Sequence, residues 1–474
     1  MSAIGLPKTW NEQADVVVVG SGFAGLAAAI AAKNVGSSVL ILGKMKACGG
    51  NSIVSDGCIA AASSTLQRKN GVQDSPELLH EDMLRAGFIN HHELVRTVAE
   101  RSNAVVQWTA DYLGVKYRER LEQLGGHSVP RTYITYNQSG RDIVRPLLSK
   151  VKELGIEVRT RVYLNKLIID ADGSIKGVKV HEGYIFPDAE SGSPKYIKAR
   201  NAVILATGGY GNDIPFRAIQ NPRLTEDVDS TNKPGTTAEA LIEAMKVGAA
   251  SVHLSWIQMG PWTSPDEKGT GVGPIFASLI AFPYGVVVDP ATGRRFINEL
   301  ADRRIRADAI LNIGKPCIAI ADADGVIQSG QNIHRCLKKG VVRRFDTMEE
   351  LATAYKIPHE KLKETVSRYN SYVANQKDEE FEKPILKGSK PLVHPPYYGI
   401  RLWPKVHYTM GGILINTKAQ VINLCYQPIK RLYAAGEVTG GVHGACRLGS
   451  LAIADCLVFG RIAGMNAAAE KPWI

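Results

Sequence analysis

Arg447 stands in VHGACRLGS (442–450), among glycines and small residues and directly ahead of the apolar run LAIADCLVFG. A guanidinium stays protonated in a protein and is costly to desolvate unless an anion sits beside it. The segment therefore asks for an anionic partner, either a structural carboxylate of the chain or an anionic ligand. A second stretch with chemistry in its spacing is GSGFAG (20–25), a GxGxxG with Gly20, Gly22 and Gly25 enclosing Ser21 and Ala24. It joins the β-branched run DVVVV to the alanine-rich LAAAIAAK, the strand–turn–helix context in which the pattern binds dinucleotides. The first glycine makes the turn, the second admits a pyrophosphate and the third lets helix and strand pack closely. The helix N-terminus then offers free N–H donors to the phosphates.

Two further strands end in glycines. ARNAVILATGGYGND (199–213) runs into Ala206-Thr207-Gly208, and RLYAAGEVTGG (431–441) into Gly436-Glu437. One cofactor spanning strand ends from both ends of the chain would explain all three. One element is missing, because the second strand of such a unit normally ends in an acid that binds the ribose hydroxyls. Here it reads LILGK, with Gly43 and Lys44, so the ribose must be held by Lys44 or by backbone groups.

These groups need large cores to position them. At 474 residues, 45% of them apolar, the chain can fill two or three domains. Its net charge of +11 is diluted over that length, with no long Lys/Arg run and no basic stripe interleaved with aromatics. Nucleic acid is therefore not expected as a partner, and a mild pull on an acidic partner or anionic substrate is. The seven cysteines are scattered without CxxC or CxxCH, which argues against a zinc site, a c-type haem and a disulfide framework. No metal site is assigned. Reduced thiols fit a cytoplasmic location; a periplasmic one would require a leader removed ahead of MSAIGLPKTWNEQ, which carries no signal pattern. The apolar run 16–32 is broken by three glycines and reads as strand–turn–helix, so no transmembrane segment is expected. IVRPLLSKVKELGIEVRT (143–160) and LKETVSRYNSYV (362–373) read as amphipathic helices. Residues 254–405 read as an inserted domain.

The chain resembles, over essentially its whole length, the flavoprotein family of fumarate reductase, succinate dehydrogenase and soluble flavocytochrome c. Its relatives include L-aspartate oxidase, urocanate reductase and ketosteroid dehydrogenases. The resemblance rests on GSGFAG, GGNS (49–52), ATGG (206–209), STNKPG (230–235), GRRFINE (293–299), HYTMGG (407–412), AAGEVTGGVHG (434–444) and RLGS (447–450). It implies an α/β fold: a Rossmann-like FAD-binding domain (1–253 and 406–474) interrupted by an α+β capping domain (254–405). The cofactor would be FAD, held non-covalently, since GGNSIVSDGCIAA (49–61) has no histidine for a covalent link. Besides the residues of GSGFAG and the strand ends, its contacts would include Lys44, Gly50, Asn51, Ser52, Gly57, Ser450 and Leu451. Glu239, in TTAEA where relatives read GDG, would take an acidic contact near the cofactor.

In that family the arginine of HGANRLG clamps a substrate carboxylate with help from the histidine of HYTMGG, roles that fall on Arg447 and His407. Arg303, in NELADRRIRADAI, matches the arginine that protonates the substrate carbanion as flavin N5 delivers hydride to the adjoining carbon. The alternative for Arg303 is an interdomain salt bridge, and Asp302, Arg304 or Arg306 could share a proton relay. Cys446 replaces the usual Asn and reads as a small packing residue. The pattern breaks at the second carboxylate of fumarate. WIQMGPWT has Gly260 at the histidine position, and IFASLIAFPYG (275–285) has neither acid nor arginine. Trp256, Met259, Trp262, Phe276, Phe282 and Tyr284 stand there instead. The resemblance thus implies an FAD-dependent reductase of the C=C bond of a 2-enoate, with an apolar or aromatic tail in place of a second carboxylate. Electrons would come from a separate donor, a cytochrome or flavin reductase. Its rivals are a dehydrogenase or oxidase running in reverse, fumarate reductase proper, and a flavin-binding module without turnover.

Overall fold

The computed structural model describes residues 5–473; the first four residues of the N-terminal segment and Ile474 lie outside it. The elements that position the site begin with β1 (Glu12–Val19), α1 (Phe23–Asn34), β2 (Val39–Gly43), α2 (Arg141–Glu153), β3 (Glu157–Thr160), β4 (Val162–Ile169), β5 (Ile175–Glu182) and β6 (Ser193–Leu205). Then come β7 (Ile257–Gly260), β8 (Val286–Val288), α3 (Arg303–Ile313), β9 (Cys317–Ala321), β10 (Val342–Phe345), α4 (His359–Ala374), β11 (Tyr397–Leu402) and β12 (Lys405–Thr409). The last are β13 (Gln420–Ile422), β14 (Pro428–Ala434) and α5 (Leu451–Ala469).

The main sheet has the order β13-β14-β6-β1-β2-β3, with β5 also on β6 and β4 on β5. Its inner pairs, β14–β6, β6–β1, β1–β2 and β2–β3, are parallel. Val16, Val17 and Val18 are fully buried, as an uninterrupted β-branched run requires in a strand covered on both faces. α1 and α5 touch backbone to backbone. A Cβ on Gly460 or Gly464 would lie 2.5 Å or 2.1 Å from the carbonyl oxygens of Ala24 and Ala28. By length and composition α5 could cross a membrane, but 67% of its apolar window is buried inside this fold, as expected of a helix apolar on all sides.

A second, antiparallel sheet, β8-β9-β11-β10, is built from strands between residues 286 and 402. One apolar cluster holds Phe276, Ile280 and Ile400, and another holds Leu351, Leu362 and Tyr369. α4 buries Leu362, Val366, Tyr369 and Val373, the stripe its spacing predicts. The helix expected over 143–160 is only half present. α2 stops at Glu153, Gly155 turns the chain at φ 65°, and residues 157–160 become β3, paired to β2. β7 pairs antiparallel with β12, and the register slips so that Gln258 faces Tyr408 and Met259 faces Val406. His407 is the extra residue of that bulge, a device that re-aims a side chain.

Candidate active site

β1, β6 and β14 end side by side. The N–H of Ala206 bonds to Val19 O (2.7 Å) and that of Ala435 to Leu205 O (3.0 Å). The three glycine-rich ends, remote in sequence, therefore form one edge. Gly20 has φ 119°, and its Cβ would lie 2.0 Å from Ala206 O; a Cβ on Gly25 would lie 2.0 Å from Gly20 O. No side chain fits in that turn. Beside it, a Cβ on Gly208 would meet nothing within 4 Å, so this backbone faces open space. α1 starts at this edge, N-capped by Gly22 with no side-chain cap and no acid in its first turn. α5 starts in the same way from Ser450. Phe23, Ala24 and Leu451 are nonetheless buried. Of the first-turn N–H groups of α1, that of Phe23 goes to Ser52 Oγ (3.0 Å). Buried helix starts without caps need acceptors from elsewhere, and a pyrophosphate meets that need.

The other residues expected at the cofactor sort into two groups. Glu437 lies beside this edge: its Oε1 accepts from Thr409 N (3.0 Å), and burial pushes its carboxyl up to about 7. Gly50 also borders open space. Asn51, Gly57 and Ser450 make contacts within the fold. Asn51 Oδ1 accepts from Lys233 N (2.8 Å), tying GGNS to STNKPG. A Cβ on Gly57 would strike Thr135 and Ser139, and Ser450 Oγ lies 2.7 Å from Thr132 Oγ1. Lys44 and Glu239 satisfy each other at 3.1 Å, with Thr237 bonded to both. A Cβ on Gly43 would lie 3.3 Å from Ser21 Oγ, which leaves that hydroxyl as the polar group at the end of β2.

Arg447 is 4% exposed and has no carboxylate partner among the described residues. Its Nη1 donates to Leu448 O (3.1 Å), its Nη2 lies 3.1 Å from His407 Nε2, and its Nε is buried without a partner. The ring of Tyr408 underlies it at 4.5 Å. Arg303, first residue of α3, likewise has a buried Nη1 with no partner. Burial and the charge of Arg447 push the Arg303 guanidinium well below its ordinary range. Burial, then Arg447 and Arg303, push His407 well below its usual value, so it is neutral. Its Nε2 accepts from Arg447, which assigns the proton to Nδ1, 2.8 Å from Thr231 Oγ1. Neither arginine is the structural ion pair that was the alternative in each case.

Of the six apolar residues expected opposite, Trp262 touches this group. Its ring centroid lies 4.2 Å from Arg303 Cζ and 4.9 Å from the His407 ring. Phe276 and Phe282 are core, Trp256 packs edge-on against Phe88, and Tyr284 accepts from Arg120. Cys446 is more than filler: its thiol contacts Asp302 Oδ1 (3.5 Å) and Gln258 Nε2 (3.4 Å), and burial pushes it up to about 11. Thr231 and Tyr408 were not singled out in the sequence. Both sit inside quoted motifs, STNKPG and HYTMGG, but only the fold shows that they brace His407 and Arg447.

The family model described as "FAD binding domain" matches residues 15–453. The chain is 43% identical over 463 residues to the acrylate reductase flavoprotein subunit of Shewanella woodyi, covering 96% of this chain and 91% of that protein. It is 32% identical to the urocanate reductase of Eggerthella lenta, covering 98% and 76%. The solved open conformation of a flavocytochrome c3 fumarate reductase superposes with a TM-score of 0.74 at 36% identity, covering 97% of this chain and 78% of that one.

Proposed function

Since the chain belongs to the FAD binding domain family and is an FAD-dependent oxidoreductase, we propose that it reduces the C=C bond of a 2-enoate carrying a single carboxylate. The observation that carries this reading is the pair of buried guanidinia without a carboxylate, Arg303 and Arg447, with an indole rather than a further polar donor against Arg303. FAD would be held by Gly20, Ser21, Gly22, Ala24, Gly25, Ser52, Gly208, Glu437 and Leu451. When reduced it supplies hydride from flavin N5.

Arg447 takes the substrate carboxylate. Its Nε–H is without a partner and its plane is fixed by Tyr408 below and His407 beside it. Charge-assisted guanidinium–carboxylate bonds are strong and planar, so they orient the chain and draw electron density from its double bond. Thr231 and His407 hold Arg447 in that orientation. Arg303 gives its proton to the carbon α to the carboxylate while hydride adds at the β carbon, and solvent restores the proton. An ordinary guanidinium is a poor acid; desolvation and the adjacent Arg447 charge shift this one toward proton release. Electrons for the flavin would come from a separate donor. In support, one similar protein is named a flavoprotein subunit and others are cytochrome-linked fumarate reductases, and this chain has no CxxCH motif.

The test is anaerobic. Photoreduced holoenzyme is mixed separately with acrylate, crotonate, cinnamate, urocanate and fumarate, and flavin reoxidation is followed by absorbance. Fast reoxidation by a monocarboxylate is expected, with fumarate slower by about 10³-fold, because its second carboxylate forfeits charged hydrogen bonds of about 1.5–3 kcal/mol each. Fast reoxidation by fumarate, or by oxygen alone, would refute the reading.

A further inference from the structure

Trp262 is held more firmly than a pocket residue needs to be. Gly260-Pro261-Trp262-Thr263 is a tight turn at the end of β7, where Thr263 N–H donates to Gly260 O (3.3 Å) and Thr263 Oγ1 lies 2.8 Å from the same oxygen. Thr263 Oγ1 also lies 2.7 Å from Trp403 O, Trp403 N–H donates back to Thr263 O at 2.9 Å, and Thr263 is fully buried. A turn whose last residue is bonded twice to Trp403, in the link between β11 and β12, gives its third residue one position. The indole there is 6% exposed and lies against Arg303 and His407 at once; it belongs to the apolar cluster of Phe276, Ile280 and Phe282.

Gly260 explains why the ring can lie there. A Cβ at this position would sit 3.4 Å from Cε2 and Cζ2 of the indole, so a methyl just fits and anything longer needs the ring's own place. The indole thus packs directly over residue 260. A locked indole spanning the proton donor and the partner of the carboxylate clamp is a wall at a fixed distance from both. It offers a substrate apolar contact without room to yield, since well-packed interiors do not deform to admit extra carbons cheaply.

We propose that Trp262 is the specificity-determining residue that limits the enoate to a three- or four-carbon acid such as acrylate or crotonate, and excludes aryl and longer alkyl tails. This rests on the reading of the site as a reductase of monocarboxylic 2-enoates, and it narrows the apolar- or aromatic-tail expectation to short chains. The variants Trp262→Leu and Trp262→Phe, as FAD-loaded enzymes, would be compared with wild type for kcat/KM on acrylate, crotonate, trans-2-hexenoate and cinnamate. Wild type should favour acrylate over cinnamate by about 100-fold or more, and Trp262→Leu should raise the cinnamate-to-acrylate ratio by about tenfold or more. Trp262→Phe, which keeps most of the packing, should move the ratio the same way by less. The inference is overturned if wild type accepts cinnamate as well as acrylate, or if both variants lower all four substrates in equal proportion, as a purely structural tryptophan would. Failure of wild type to reduce any of the four is a different result: it removes the 2-enoate reading itself, and this inference with it.

Discussion

Three arginines buried close to one another are treated in opposite ways. Arg131 is fully buried, with its Nε and Nη2 bonded to Asp74 (3.0 and 2.8 Å) and its Nη1 to Asp82 (2.6 Å). It also reaches His127 Nδ1 at 3.3 Å, and His127 Nε2 meets Gly449 O at 2.9 Å, two residues past Arg447. Burial pushes His127 down to about 4, so this strut stays neutral. Arg447 and Arg303 have no carboxylate partner among the described residues, and each keeps a buried nitrogen without a partner. A protein that can satisfy one guanidinium so fully and leaves two others without a carboxylate is holding charge ready for a ligand. Paired charge builds the scaffold, and unpaired charge is kept for chemistry.

That contrast can be broken in a graded series. The largest effect is expected for Arg303→Ala, which should lower kcat by about 10³–10⁴-fold with KM nearly unchanged and the fold intact, as loss of a proton donor does; steady-state kinetics on acrylate would show it. Arg131→Met should leave Asp74 a buried charge without a cation, and Asp82 with only Arg85 and Ser128, and cost about 3–5 kcal/mol in urea unfolding. Arg447→Met should cost about 10²–10³-fold in kcat/KM, mostly through KM, as the charged bonds to the carboxylate are lost.

A smaller effect concerns Glu437, whose carboxyl the fold raises from 4.5 to about 7. Its stabilising contribution is full below pH 4.5 and is lost as pH rises through 7. Glu437→Gln should flatten that part of the stability–pH profile by on the order of 3 kcal/mol, measured by urea unfolding of the apoprotein. The smallest is Thr231→Val, which removes the partner of His407 Nδ1 and should lower kcat/KM about fivefold, near 1 kcal/mol.

The cofactor edge was legible in the sequence because its signals are local. A β-branched run, a GxGxxG and two more glycine-ended strands each report a backbone need, and parallel pairing of β14, β6 and β1 brings them together. Arg447 was legible as a charge lacking a neighbour. The missed features are pairwise. The mutual bond of Lys44 and Glu239 spans a separation of 195 residues, and the support of His407 by Thr231 spans 176. No periodicity announces such partners. The six apolar candidates of the far wall looked alike in sequence, and only a locked turn distinguishes Trp262 from core residues such as Phe276. The strand at 157–160 was hidden because the apolar period of α2 runs up to Gly155, where the chain turns rather than continuing the helix.

The most direct test of the central claim compares Arg447→Met with Arg131→Met by thermal unfolding, with and without propionate, the saturated counterpart of acrylate. Arg447→Met is expected to be at least as stable as wild type without ligand and to lose the stabilisation that propionate gives wild type, while Arg131→Met unfolds early in both conditions. If Arg447→Met is destabilised as severely as Arg131→Met, or if propionate stabilises it as much as wild type, Arg447 is a structural arginine and the carboxylate clamp does not exist.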